Sequence, residues 1–309
     1  MSIVVVGSIA LDSVRTPHGE RKESLGGSAL YFASAASFFS PVSLIGVIGE
    51  DFPRDDIRFL AKRGVDLSGL EITKGQTFRW TGSYQNDMNE ATTHATHLNV
   101  FQSFRPKLSP AHEKAEFVFL ANIDPALQRD VIAKVKRPKA VGCDTMNFWI
   151  TGKRNELLKT LKQVDIMFIN DAEARMLAGV PNLVRAAKMI RAMGPRTVVI
   201  KKGEHGAMLF TGRTVFAIPA YPMKEVFDPT GAGDSFAGGF MGYLASQGRI
   251  TDDVLRRAMV YGSAMASFNV EKFSMDQLKT LTKPEIRQRF KEFRKLTSFE
   301  PDARVSRNG

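Results

Sequence analysis

The chain has 309 residues with 43 Lys and Arg against 32 Asp and Glu, and its 43% hydrophobic and 24% charged residues are those of a globular protein. Collagen-like, disordered and disulfide-scaffold classes are thereby excluded. Cys143 is the single cysteine, so no intrachain disulfide holds the fold and a reducing, cytoplasmic setting is expected.

Met1 and Ser2 lead straight into an apolar run at 3–6, which reads as a strand of the mature chain and not as a signal peptide. Further β-rich apolar runs follow at 42–48, 117–120, 140–143, 166–169 and 197–200. Helix-period segments lie between them at 28–39, 55–63, 127–135, 154–161, 172–178 and 183–193, and more follow at 233–247, 252–268 and 284–295. This alternation predicts an α/β fold, a mostly parallel sheet flanked by helices and built of βαβ units.

Two stretches break the rhythm. Residues 12–24 are polar around Pro17-His18-Gly19, and 76–104 alternate through Phe78, Trp80, Gly82 and Tyr84 before a polar turn, Leu98 and Val100. Both read as pieces of a small antiparallel sheet, either a lid that excludes water from a reacting centre or an edge hairpin with no catalytic role. Exposed lid edges would also suit a homodimer.

No uncharged apolar run approaches the roughly 18–20 residues that cross a bilayer, so a soluble protein with no membrane partner is expected. The formal charge of +11 includes eight Lys and Arg against four Asp and Glu from Lys283 to Arg307. That stretch reads as a solvated face with a flexible tail at 301–309, and no nucleic-acid partner is expected.

The chemically richest segment is Asp228-Pro229-Thr230-Gly231-Ala232-Gly233-Asp234 with an apolar helical run behind it. Gly231 and Gly233 permit a tight turn that directs amide N–H groups inward, and the following helix adds its positive end, so the segment forms an anion hole. An acid inside such a hole repels phosphate, so Asp234 needs a chemical reason to be there, and proton abstraction supplies one. Asp234 as a helix cap in a glycine-rich turn is the alternative. It leaves Asp228 and Thr230 unexplained. Neither G-x-G-x-x-G after the first strand nor G-x-x-x-x-G-K-[ST] occurs, which disfavours a Rossmann dehydrogenase and a P-loop kinase.

With these residues in view, the chain resembles the ribokinase-like (PfkB) family of carbohydrate and nucleoside kinases. Asp228 to Asp234 matches its C-terminal signature, with Pro229 at a variable position. The likeness extends to Gly7-Ser8-Ile9-Ala10-Leu11-Asp12, the Gly26-Gly27 pair, Asn170-x-x-Glu173 and Lys202-Gly203-x-x-Gly206, nearly the whole chain. It implies one ribokinase-like domain over 1–309, with a β lid above an α/β core.

The resemblance also implies roles. Asp234 would be the base that deprotonates a substrate hydroxyl, with the amides of Gly231, Ala232 and Gly233 holding the transferring phosphoryl group. Asp12, Gly26 and Gly27 would face the substrate, joined by Tyr31 where many members carry Asn. Asn170, Glu173, Lys202, Gly203 and Gly206 would serve the nucleotide, Glu173 through Mg²⁺-bound water. A capping box explains Asn170 and Glu173 equally well. Asp228 and Thr230 would lie beside a possible K⁺ site, or Asp228 would merely anchor its loop. Asp144 and Asn147 fall in a region near the family's active site, whereas Phe148 and Trp149 read as core packing.

The expected function is therefore ATP- and Mg²⁺-dependent phosphoryl transfer to a hydroxyl, a primary one, of a sugar or sugar-like molecule. A nucleoside kinase of the same fold is the alternative. A catalytically silent nucleotide sensor, from another class, would have little reason to keep Asp234.

Overall fold

The computed structural model describes residues 2–299; the tail expected at 301–309 lies outside them. In chain order the strands are β1 (Ile3–Val6), β2 (Ala10–Thr16), β3 (Gly19–Gly26), β4 (Val42–Gly49), β5 (Asp66–Thr73), β6 (Phe78–Tyr84) and β7 (Ala91–His97), then β8 (Phe117–Leu120), β9 (Ala140–Cys143), β10 (Ile166–Asn170), β11 (Thr197–Lys201), β12 (Ala207–Phe210) and β13 (Val215–Ile218). The helices are α1 (Ser28–Ala36), α2 (Arg58–Lys62), α3 (Pro125–Ile132), α4 (Asn147–Gly152), α5 (Arg154–Leu161), α6 (Asp171–Ala178), α7 (Leu183–Ala192), α8 (Ala232–Gln247), α9 (Asp252–Asn269), α10 (Asp276–Thr280) and α11 (Lys283–Thr297).

Nine strands form one sheet in the order β13-β12-β11-β10-β9-β8-β1-β4-β5, parallel from β11 to β5 and closed by the antiparallel β12 and β13. Strands covered on both faces read as unbroken apolar runs, and β1 shows why. Ile3 and Val5 enter a core with Phe32, Phe119, Phe168 and Phe240, while Val4 and Val6 enter the opposite one with Val131, Leu157, Leu177 and Ile190. Helix α1 is buried along its whole length, as expected of a helix apolar all round.

A second sheet orders its strands β3-β2-β6-β7. It consists of two antiparallel hairpins, as the excursions at 12–24 and 76–104 suggest, joined by a parallel pairing of β2 with β6. The end of the second excursion is not a strand but a 3₁₀ turn, Asn99–Ser103. Phe148, expected in the core, is 58% exposed and sits edge-on against Trp149.

Candidate active site

The carboxyl ends of the parallel strands collect the polar groups, as open α/β sheets do. Asp144 follows β9, and Asn170 and Lys201 end β10 and β11, paired in register, while Asp12 comes from β2 of the small sheet. The loop from Asp228 and the start of α8 complete the edge.

That loop is tied down by buried hydrogen bonds. Asp228, 1% exposed, accepts the N–H of Thr230 at one carboxylate oxygen and the N–H of Ser274 at the other, each at 2.9 Å. Ser274 Oγ donates to Leu25 O at 2.6 Å, and Asn269 Nδ2 donates to Thr230 O at 2.8 Å. Burial raises the Asp228 carboxyl above its ordinary range against these bonds.

Gly231 is the N-cap of α8 with φ 75°, a left-handed conformation that a side chain resists. Space forbids one as well, because a Cβ would fall 2.3 Å from the Tyr31 ring, itself 1% exposed. Tyr31 therefore lies directly against the anion-hole loop. Burial and the nearby Asp228 and Asp12 carboxyls keep its phenol protonated, well above its ordinary value.

The amides differ from the expected trio in one member. Ala232 N–H donates to Pro229 O at 3.1 Å, closing the turn. Among the described residues no hydrogen bond uses the N–H groups of Gly231, Gly233 and Asp234. The unpaired donors at the head of α8 are thus shifted one residue toward the acid.

Asp234 lies in the first turn of α8. Burial, then the Asp144 carboxylate, push its carboxyl up to about 8 against the opposing pull of Lys201. Lys201 Nζ donates to Asp144 Oδ2 at 2.9 Å, with the two side chains 18% and 6% exposed. Asp12 is pushed up to about 7 by burial and Asp228. Gly26 must be glycine beside it, since a Cβ would fall 1.9 Å from Asp12 Oδ2.

Asn170 and Glu173 form the complete capping box of α6, with N–H to side-chain bonds of 2.9 and 2.7 Å. Capping does not exhaust Glu173. Burial, then Asp144, push its carboxyl up to about 7, so it faces the same cluster as Asp234. Lys202 closes the β11–β12 turn around Gly203, its N–H donating to Gly206 O at 2.8 Å. Lys201, one residue earlier, is the cation of the site. Its sequence signal was a lysine ending an otherwise apolar strand.

The small sheet touches both sides of this edge. Thr230 Oγ1 donates to the Tyr84 hydroxyl of β6 at 3.4 Å. The hairpin tip brings Asn89 Oδ1 within 2.4 Å of where a Gly203 Cβ would lie.

No cluster of three or more His, Cys, Asp or Glu able to hold a metal occurs among the described residues. Yet Asp144, Glu173 and Asp234 interact electrostatically with Lys201, and Asp12 with Asp234. Surplus negative charge without a cage fits a cation that arrives on phosphate and is held through water.

Residues 1–280 match the pfkB family carbohydrate kinase model. The cytidine kinase of Thermococcus kodakarensis is 32% identical over 83% of this chain and 92% of its own length. The nucleoside kinase of Methanothermobacter thermautotrophicus is 27% identical over 95% of this chain and 90% of its own. An E. coli chain solved in complex with ATP and Mg²⁺ superposes with a TM-score of 0.74 at 20% identity, covering 94% of this chain and 99% of that one. No helix among the described residues is long and apolar enough to cross a membrane. The fold, the glycine-rich loop with its acid, and these matches converge: the chain belongs to the pfkB family of carbohydrate kinases.

Proposed function

We propose that the chain transfers the γ-phosphoryl group of ATP to the primary hydroxyl of a nucleoside, with Asp234 as the general base. The observation that carries the chemistry is the Asp234 carboxyl at the head of α8, beside unpaired amides and Lys201. The acceptor class rests on the two relatives that phosphorylate cytidine or nucleosides, and it narrows the sugar-like acceptor expected from the sequence.

In this reading the ionised Asp234 takes the acceptor's hydroxyl proton. The acceptor oxygen bonds to the γ-phosphorus while the bond from phosphorus to the bridging oxygen breaks, its electron pair leaving with ADP. The N–H groups of Gly231, Gly233 and Asp234 stabilise charge on the transferring oxygens. Asp12 accepts hydrogen bonds from ring hydroxyls, Gly26 and Gly27 let the sugar approach the backbone, and the neutral Tyr31 phenol closes the floor. Asn170, Glu173 and the Lys202-Gly203-x-x-Gly206 turn flank the nucleotide. Glu173 would hold Mg²⁺ through water, and the ion would supply charge neutralisation of the phosphates.

The small sheet acts as the lid, excluding water through Tyr84 and the hairpin tip. Its outer strands β3 and β7 are the edges through which two copies would pair, which sedimentation tests. Asp228 and Thr230 would flank K⁺, the further ion of this scheme, and the cytoplasm is the compartment that suits ATP and the free Cys143.

The test is ADP release with ATP and Mg²⁺ across nucleosides, free sugars and polyols. Nucleosides, cytidine among them, are expected to turn over fastest. ADP release with free sugars alone would replace the nucleoside by a sugar.

A further inference from the structure

Resting on the kinase reading above, we propose that Lys201 is a catalytic residue that contacts the transferring phosphoryl group, and that Asp144 is its positioning residue. Lys201 comes from the end of β11, while Asp144 follows β9 at a sequence separation of 57. The fold alone brings them together.

The ammonium lies close to Gly233 at the head of α8. A Cβ at Gly233 would sit 2.9 Å from Lys201 Nζ, so Nζ rests on the backbone of the first turn of α8, beside Asp234. With no side chain at Gly233, that space is left to the ammonium. An ammonium has three donors and no acceptor. Among the described residues, its hydrogen-bond partner is Asp144 alone, which leaves donors for whatever enters the cleft. The other Asp144 oxygen accepts Thr145 N–H at 2.8 Å, so the carboxylate is itself held in place. The neighbouring Thr145 hydroxyl is buried and unpartnered, a further donor at the same strand end.

Phosphoryl transfer spreads charge over the equatorial oxygens as the bridging bond breaks, and catalysis is mostly alignment and charge stabilisation. Backbone N–H groups supply dipoles, whereas Lys201 supplies a full charge on the same spot. Lys201 neither gives up nor receives a proton in the step. Burial would lower its pKa, but Asp144 and Glu173 outweigh burial and raise it.

A purely structural ion pair joining β9 to β11 is the competing explanation, and charge-neutral replacement separates the two. Lys201→Met, Lys201→Met/Asp144→Asn and the wild type are compared for calorimetric affinity toward AMP-PNP and toward ADP, for turnover, and for melting temperature. Lys201→Met is expected to lose AMP-PNP affinity by at least about tenfold relative to ADP, and turnover by ~10²–10³-fold with the acceptor KM little changed. The double variant, with no unpaired buried carboxylate, is expected to regain melting temperature but not turnover. An unchanged AMP-PNP to ADP ratio, or turnover restored in the double variant, overturns the proposal. The affinity ratio needs no acceptor, so it decides the role of Lys201 even if no alcohol elicits ADP release and the kinase reading itself falls.

Discussion

Replacing Asp234 by Asn should make the protein more stable and nearly inactive at once. Burial and Asp144 hold the carboxyl at about 8 against an ordinary value of 3.8. At about 1.4 kcal/mol per tenfold change, that displacement sets a ceiling of about 6 kcal/mol on the destabilisation caused by the charged form. The side chain is only half-buried and Lys201 offsets part of the penalty, so ~1–3 kcal/mol is the working range once water is allowed into the cleft.

The sign follows from the protons bound. Between about pH 4 and pH 8 the folded state keeps a proton that the unfolded chain has lost, so wild-type stability falls as pH rises through that window. Asn does not titrate. Its advantage should be small at pH 4–5, grow to pH 8 and stay constant above. At ~2.1 cal/mol/K of unfolding entropy per residue, ~1–3 kcal/mol corresponds to about 2–5 °C in melting temperature. Scanning calorimetry at pH 5 and pH 9 reads the stability, and coupled ADP release reads a turnover loss of ~10²–10⁴-fold. An Asn variant that melts with the wild type at pH 9, or that keeps near-normal turnover, would refute the reasoning.

Three further outcomes are expected. Glu173→Gln preserves the capping box around Asn170 but removes a carboxyl of the cluster, so turnover at low Mg²⁺ should fall while melting temperature moves by no more than about 2 °C, as a retained cap requires; equal turnover per folded molecule would leave Glu173 a cap alone. Gly231→Ala meets both a φ of 75° and the Tyr31 ring at 2.3 Å, and together these should cost ~2–5 kcal/mol, with Gly231→Ala/Tyr31→Leu recovering the steric part; a wild-type melting curve for the single variant would contradict the geometry. Exchanging potassium for a bulky organic cation at equal ionic strength should lower turnover if K⁺ sits beside Asp228 and Thr230. Because both Asp228 oxygens already accept backbone N–H groups, an unchanged rate would assign Asp228 to anchoring the loop.

Local chemistry made much of this legible without coordinates. Strands β1, β4, β8, β9, β10 and β11 are short apolar runs because both faces are covered, and that pattern survives in one dimension. Strands β5, β12 and β13 escaped notice. β5 and β13 border the sheet, and β5 is half-exposed with Asp66, Ser68 and Glu71 along it, so its sequence lacks the apolar signature. The loop from Asp228 to Asp234 was readable because its glycines, its acid and the helix behind them are contiguous.

What the sequence by itself determined was therefore the sheet's buried interior, the two excursions that make the small sheet, and the acid set in an anion hole. Only the tertiary structure decided which lysine meets the acid cluster, since Lys201 and Lys202 are indistinguishable neighbours until strand β11 carries the first toward Asp144. It also decided that Ala232 spends its N–H on the turn, that Tyr31 lies against Gly231, and that Glu173 both caps α6 and belongs to the acid cluster. Apart from the local Ala232 turn, these depend on groups far apart in the chain meeting at one sheet edge, where burial and mutual charge set properties that no single segment carries.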